Sequence, residues 1–249
     1  MGDPAAGRYA FPTTHWTLII AAGGNRSNLD RADALEHLCN GYWYPVYAFI
    51  RRRGSSPEQA QDLTQQFFLG ILDGAFFERA NPEKGRFRSF LLGAVQNFLS
   101  DASDRERSQK RGGGVLPFSL DFVTGESNYA REPRHTETPE RIFQRKWARA
   151  LLDRVMGSLS GEFLADGKLD LFNRLKGYLT GDGNLKYAEL GIELNLTESG
   201  VKSAIRRLRQ RYRDMLRAEV IATVADPAEV DDELQFLLRA ISSQELEVR

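Results

Sequence analysis

Residues 185–217 read LKYAELGIELNLTESGVKSAIRRLRQRYRDMLR, and the fold turns on how this stretch is divided. Tyr187, Leu190 and Leu194 recur at helical spacing and line one face. Asn195 follows where the chain must turn sharply, and asparagine tolerates the left-handed conformation better than most residues. Leu196 supplies an apolar anchor, and Thr197 suits the N-cap of a second helix. In that helix Val201, Ala204, Ile205, Leu208, Tyr212 and Met215 share the inward face. Lys202, Ser203, Arg206, Arg207 and Arg209 must then point elsewhere. Two helices, a tight turn and a basic outer face make a helix-turn-helix, whose second helix enters the DNA major groove. Its cations would neutralise phosphates, and its arginines can address guanine edges. The competing reading is an amphipathic surface helix with a solvated basic face.

Working outward, the 249 residues carry no net charge, with 34 basic and 34 acidic side chains. That balance hides segregation. From Val201 to Arg217 seven basic residues face one acid, whereas from Glu219 to Arg249 eight acids face two arginines. A basic block before an acidic tail reads as a polyanion-binding surface with an acidic appendage. The single cysteine, Cys39, excludes an internal disulfide and a cysteine cluster for a metal. It sits in an apolar helical pattern and is expected to be a buried structural thiol. No signal peptide and no long apolar run is seen, so a cytoplasmic protein without a membrane partner is expected.

Helical periodicity runs through nearly the whole chain, and an all-α fold follows. In DRADALEHLCNGYWYPVYAFIRRRG, apolar residues recur at three- and four-residue spacing, with Pro45 as a joint or kink and Gly54 as the stop. Ser56, Pro57 and Glu58 open the next helix, which carries Leu63, Phe67, Ile71 and Leu72 on one face. A third helix follows in FRSFLLGAVQNFLSDASDRERSQKR. Between Gly113 and Pro139 periodicity is lost, and residues 113–138 are expected to be a flexible linker. Thr138 and Pro139 open a further helix, with Ile142, Phe143, Trp147, Leu151, Leu152 and Val155 on its buried face. A last helix is expected from about Pro227 to Ile241. VLPFSLDFV could pass for a short strand, but nothing is available to pair with it.

The stretch from Tyr187 to Arg213 resembles region 4 of bacterial RNA polymerase sigma factors, in particular the extracytoplasmic-function (ECF) group. Tyr187, Glu189, Val201, Lys202 and Ser203 match its pattern. Gly191 stands for the usual alanine, which should loosen the first helix by about 1 kcal/mol. Asn195 stands for the turn glycine, and Ser199-Gly200 for a Gly-Thr pair. A helix-turn-helix alone is common to many regulators. A second block, YPVYAFIRRRGSSPEQAQDLTQQFFLGIL, is similar to regions 2.1 and 2.2 through Asp62, Leu63, Gln65 and Phe68. GRFRSFLLGAVQNFLSDASDRERSQKR is similar to regions 2.3 and 2.4 through Phe87, Arg88, Leu91, Asn97, Asp101 and Arg105.

This resemblance implies two helical domains joined by a linker. The expected divisions are an N-terminal extension at 1–29 whose Trp16 packs on region 2, region 2 at 30–112, the linker at 113–138, region 4 at 139–218 and an acidic helical extension at 219–249. It implies a non-enzymatic factor without cofactor or metal. Its partners would be core RNA polymerase (β′ clamp and β flap), promoter DNA, and an anti-sigma factor or other regulator. Asp62, Gln65, Gln66 and Phe68 would contact the polymerase. Gln66 replaces the family's usual acid, and phosphorylation of neighbouring Thr64 would restore negative charge. Asn81, Lys84, Arg86, Arg88, Asn97, Asp101, Arg105, Arg107, Lys110 and Arg111 would serve the −10 element, where an unstacked base is captured. Thr197, Ser199, Lys202, Ser203, Arg206, Arg207, Arg209 and Arg211 would serve the −35 element. The acidic extension would either fold back on the basic helix and hold the protein off DNA, or cap region 4. The alternative is a helix-turn-helix regulator that does not bind polymerase. An enzyme is disfavoured: His15, His37 and His135 lie far apart in sequence, and no nucleophile sits beside a base.

Overall fold

A computed structural model describes residues 28–72, 86–106, 120–131, 137–181, 183–224 and 226–242. Among these every regular element is helical: α1 (Asn28–Arg52), α2 (Pro57–Leu72), α3 (Phe87–Glu106), α4 (Phe122–Ala130), α5 (Pro139–Ala165), α6 (Leu169–Leu175), α7 (Gly177–Thr180), α8 (Tyr187–Leu194), α9 (Glu198–Ile221), a 3-10 turn (Pro227–Glu229) and α10 (Val230–Ser242). The chain divides into two compact units. Leu151–Glu219 forms one, and the described residues on either side of it form the other.

In the unit that contains α1 to α4, α1 runs unbroken through Pro45, so the expected joint is accommodated within one helix. Gly54 then takes a φ of 103° and stops it. The N-terminus of α2 is closed reciprocally. The Gln59 N–H donates to Ser56 Oγ (3.2 Å), and the Ser56 N–H donates to Gln59 Oε1 (3.0 Å). The core is aromatic. Tyr42 stacks on Trp147 at 4.2 Å, Phe87 lies 5.5 Å from both, and Phe67 meets Phe98 edge-on at 5.6 Å. Cys39 is fully buried, and burial pushes its thiol well above the ordinary range, in keeping with a structural role.

The expected boundaries shift in three places. First, part of the expected linker is the helix α4. Asp121 caps it by accepting from the Thr124 N–H (3.0 Å). Glu126 anchors it to α1, accepting from Tyr47 Oη (2.5 Å) and from Arg51 Nε and Nη2 (2.9 and 2.8 Å). Gly125 faces Trp43 so closely that a Cβ would lie 2.6 Å from the indole. VLPFSLDFV therefore ends in a helix start, not a strand. Second, Ile142, Phe143 and Trp147 at the beginning of α5 pack with α1 and α3 rather than with the helix-turn-helix. Periodicity identified their buried face, but not what covers it. Third, the acidic extension folds with α1–α4. Residues 1–27, including Trp16 and His15, lie outside the described residues.

Candidate nucleic-acid and polymerase-binding surfaces

The helix-turn-helix sits in the unit Leu151–Glu219. Leu190, Val201, Ala204, Ile205 and Leu208 close a core with Leu159, Phe172 and Leu175, and Tyr212 and Met215 pack at its edge. Asn195 adopts φ 52° and ψ 44°, the left-handed C-cap expected of it. The Leu196 N–H then donates to the Gly191 carbonyl at 2.8 Å. A Cβ on Gly191 would lie 2.7 Å from the Leu196 carbonyl oxygen. Gly191 is therefore not merely a weak helix former in place of alanine: its bare Cα lets the chain reverse against it. Leu196, expected as an apolar anchor, is 42% exposed, and Ile192 is 84% exposed.

Thr197 Oγ1 accepts from the Gly200 N–H at 3.1 Å and lies 3.0 Å from Ser199 Oγ. Thr197 thereby caps the N-terminus of α9. Ser203, Arg206 and Arg207 stand exposed on its outer face, and Arg206 and Arg207 have no ion pair among the described residues. Lys202 pairs with Glu198 at 2.6 Å, which raises its pKa. Arg209 is exposed but engaged, donating to the Tyr178 carbonyl at 3.0 Å. Arg211 forms a two-point pair with Glu162, one contact at 2.8 Å. The expected basic set thus separates into exposed cations near the helix start and arginines farther along that brace α5 and α7.

On α2, Asp62 and Gln66 are exposed and Gln65 is half-buried, all on one outward face. Phe68, expected beside them, is fully buried, as is Phe67. Both rings fill the core, because α2 packs against α1 and α3 along that side. Thr64 is also fully buried, and its hydroxyl donates to the Ala60 carbonyl at 2.6 Å. A kinase would reach it only after local opening of α2.

The start of α3 differs most from expectation. Arg88, expected to touch DNA, is buried. Its Nε donates to Glu233 Oε1 at 2.6 Å, and its guanidinium lies 3.6 Å from the centre of the Phe236 ring. Arg86 Nη1 lies 3.0 Å from Glu233 Oε2, and its Nε lies 3.6 Å from Glu229. The sequence places Glu233 and Phe236 on the acidic amphipathic helix without a partner, and does not point to Glu229 or Glu126. The available signals were the one-turn spacing of Glu229 and Glu233 and the Asp121 cap. Asn97 and Asp101 are exposed one turn apart on α3. Asn81, Lys84, Arg107, Lys110 and Arg111, with the side chain of Arg105, lie outside the described residues.

Residues 42–109 match the family model described as sigma-70 region 2. The chain is 28% identical over 171 residues to the "ECF RNA polymerase sigma factor SigE" of Mycolicibacterium smegmatis, covering 69% of this chain and 57% of that relative. It thus spans less than two thirds of the length of the curated relative. No solved structure gives a significant match. Residues 42–109 are thus similar to sigma-70 region 2, and the likeness of the chain to ECF-type sigma factors is borne out. No described helix is long and apolar enough to cross a membrane.

Proposed function

We propose that this protein is an ECF-type sigma factor, a non-enzymatic initiation factor that binds core RNA polymerase and directs it to promoters. The observation that carries the reading is one chain holding both a region 2 match and a capped helix-turn-helix with exposed cations. Region 2 would present Asp62, Gln65 and Gln66 to the β′ clamp and serve the −10 element, with Asn97 and Asp101 on the exposed face of α3. Lys202, Ser203, Arg206 and Arg207 would read the −35 element, where bidentate arginine contacts to guanine supply discrimination. Thr197 and Ser199 would position the helix through its cap, and Arg209 and Arg211 would hold it in place.

The other reading, a helix-turn-helix regulator that works without polymerase, rests on α8–α9 alone. Incubation of the tagged full-length chain with core polymerase in the absence of DNA separates the two. A sigma factor is retained by the polymerase, and the Asp62→Lys variant loses that retention. A simple regulator is not retained at all.

A further inference from the structure

The acidic C-terminal segment binds the very arginines that a region 2 domain would offer to a nucleic-acid strand. Two glutamates one helical turn apart, Glu229 and Glu233, face Arg86 and Arg88. The Glu233 side chain is only 1% exposed. Phe236, on the same side of α10, has the Arg88 guanidinium 3.6 Å over its ring. The segment also engages the backbone, since the Phe87 N–H donates to the Thr223 carbonyl at 3.0 Å. Spaced anionic oxygens on two arginines, beside an aromatic ring in cation–π contact with one of them, offer the same kinds of group as a single strand: phosphates that pair with guanidinium groups and bases whose π faces meet a planar cation.

Burying a carboxylate to hold a helix in place is a poor way to gain stability, because desolvation cancels much of the attraction. Val230 and Leu237 already give α10 a buried apolar anchor. The ion pairs add something the apolar contacts do not: they occupy Arg86 and Arg88.

We propose that the C-terminal segment 226–242 is an internal competitor of single-stranded DNA, seated on Arg86 and Arg88 and displaced when the strand binds. The proposal rests on the sigma-factor reading above and adds to it a regulation of region 2. In the seated state Arg88 is unavailable, so the apparent affinity for single strands is lowered by the fraction of molecules with the segment released.

The test uses the full-length chain and a fluorescein-labelled single-stranded DNA of mixed sequence, with a duplex as control. The isosteric Glu233→Gln variant weakens the seat and should bind the single strand on the order of tenfold tighter, while duplex binding through α9 stays unchanged. In the wild-type protein, amide hydrogen exchange over 230–242 should speed up when the single strand is added, a readout that does not depend on any variant folding. Single-strand affinity unchanged in Glu233→Gln, together with unchanged exchange in the saturated wild-type complex, would make the segment a permanent brace and overturn the proposal. Faster exchange on adding core polymerase alone, with none on adding DNA, would also overturn it, because the competitor would then be a protein. If neither the wild-type chain nor the variant binds single-stranded or duplex DNA, the sigma-factor reading itself fails, and this proposal with it.

Discussion

Replacing Gly191 with alanine sets two physical effects against each other, and the geometry decides the sign. Alanine is worth about 1 kcal/mol over glycine inside a helix. Here its Cβ would lie 2.7 Å from the backbone oxygen of Leu196. That oxygen belongs to the turn itself and cannot swing aside as a flexible side chain would. Relief requires moving the turn, at about 1–3 kcal/mol for an overpacked contact. It also loosens the Leu196 N–H to Gly191 carbonyl bond, worth about 1 kcal/mol. The net expectation is a loss of about 1–3 kcal/mol. Gly157 provides the control. It lies exposed in α5 with nothing within 4 Å of the position of its Cβ, so Gly157→Ala should gain up to about 1 kcal/mol. Urea unfolding followed by helical circular dichroism should move the two midpoints in opposite directions. A Gly191→Ala variant as stable as the wild type, or more so, would refute the close-approach reasoning and restore the simple propensity view.

Phe68→Ala should cost about 3–5 kcal/mol by emptying a filled core site, whereas Gln66→Ala should leave the urea midpoint within about 0.5 kcal/mol and act on polymerase retention. Glutamine at Arg206 and Arg207 should leave the melting temperature unchanged and weaken duplex binding, lowering the slope of log affinity against log salt by about one per residue. Glu126, hydrogen-bonded by Arg51, titrates below the usual carboxylate range. A folded pKa below the unfolded one contributes stability that is present at neutral pH and lost as pH falls through the folded value. The stability gap between wild type and Glu126→Gln, about 1 kcal/mol at pH 7 for a partly exposed pair, should therefore close in acid. A gap that widens in acid would contradict the pair.

Local signals were legible, and long-range partnership was not. Ser56, Thr138 and Thr197 marked helix starts because a cap is a contact over three residues, and Asn195 marked the turn because its backbone requirement is its own. Ile142, Phe143 and Trp147 showed a buried face without showing which helices cover it. Arg88 shows the limit most plainly. A helix position in a basic context suggests an exposed cation, yet its carboxylate partner is 145 residues away, and nothing local announces the pairing. The helix α4 was missed because nine residues with a glycine and scattered polar side chains give too little periodicity. What holds it is Glu126 on Arg51 and Gly125 against Trp43. The glycine that looked like a defect in α8 became intelligible only when the returning chain was seen to lie against it.

Under the proposed function, this chain turns core polymerase into a promoter-specific enzyme. Run-off transcription with core polymerase, the full-length chain and a library of genomic fragments tests it directly. The expected result is discrete start sites that depend on the protein, that share a −35 sequence, and that disappear in the Arg206→Gln, Arg207→Gln variant. Transcripts no different from those of core polymerase alone, over a chain that still binds duplex DNA, would contradict it and leave a DNA-binding regulator.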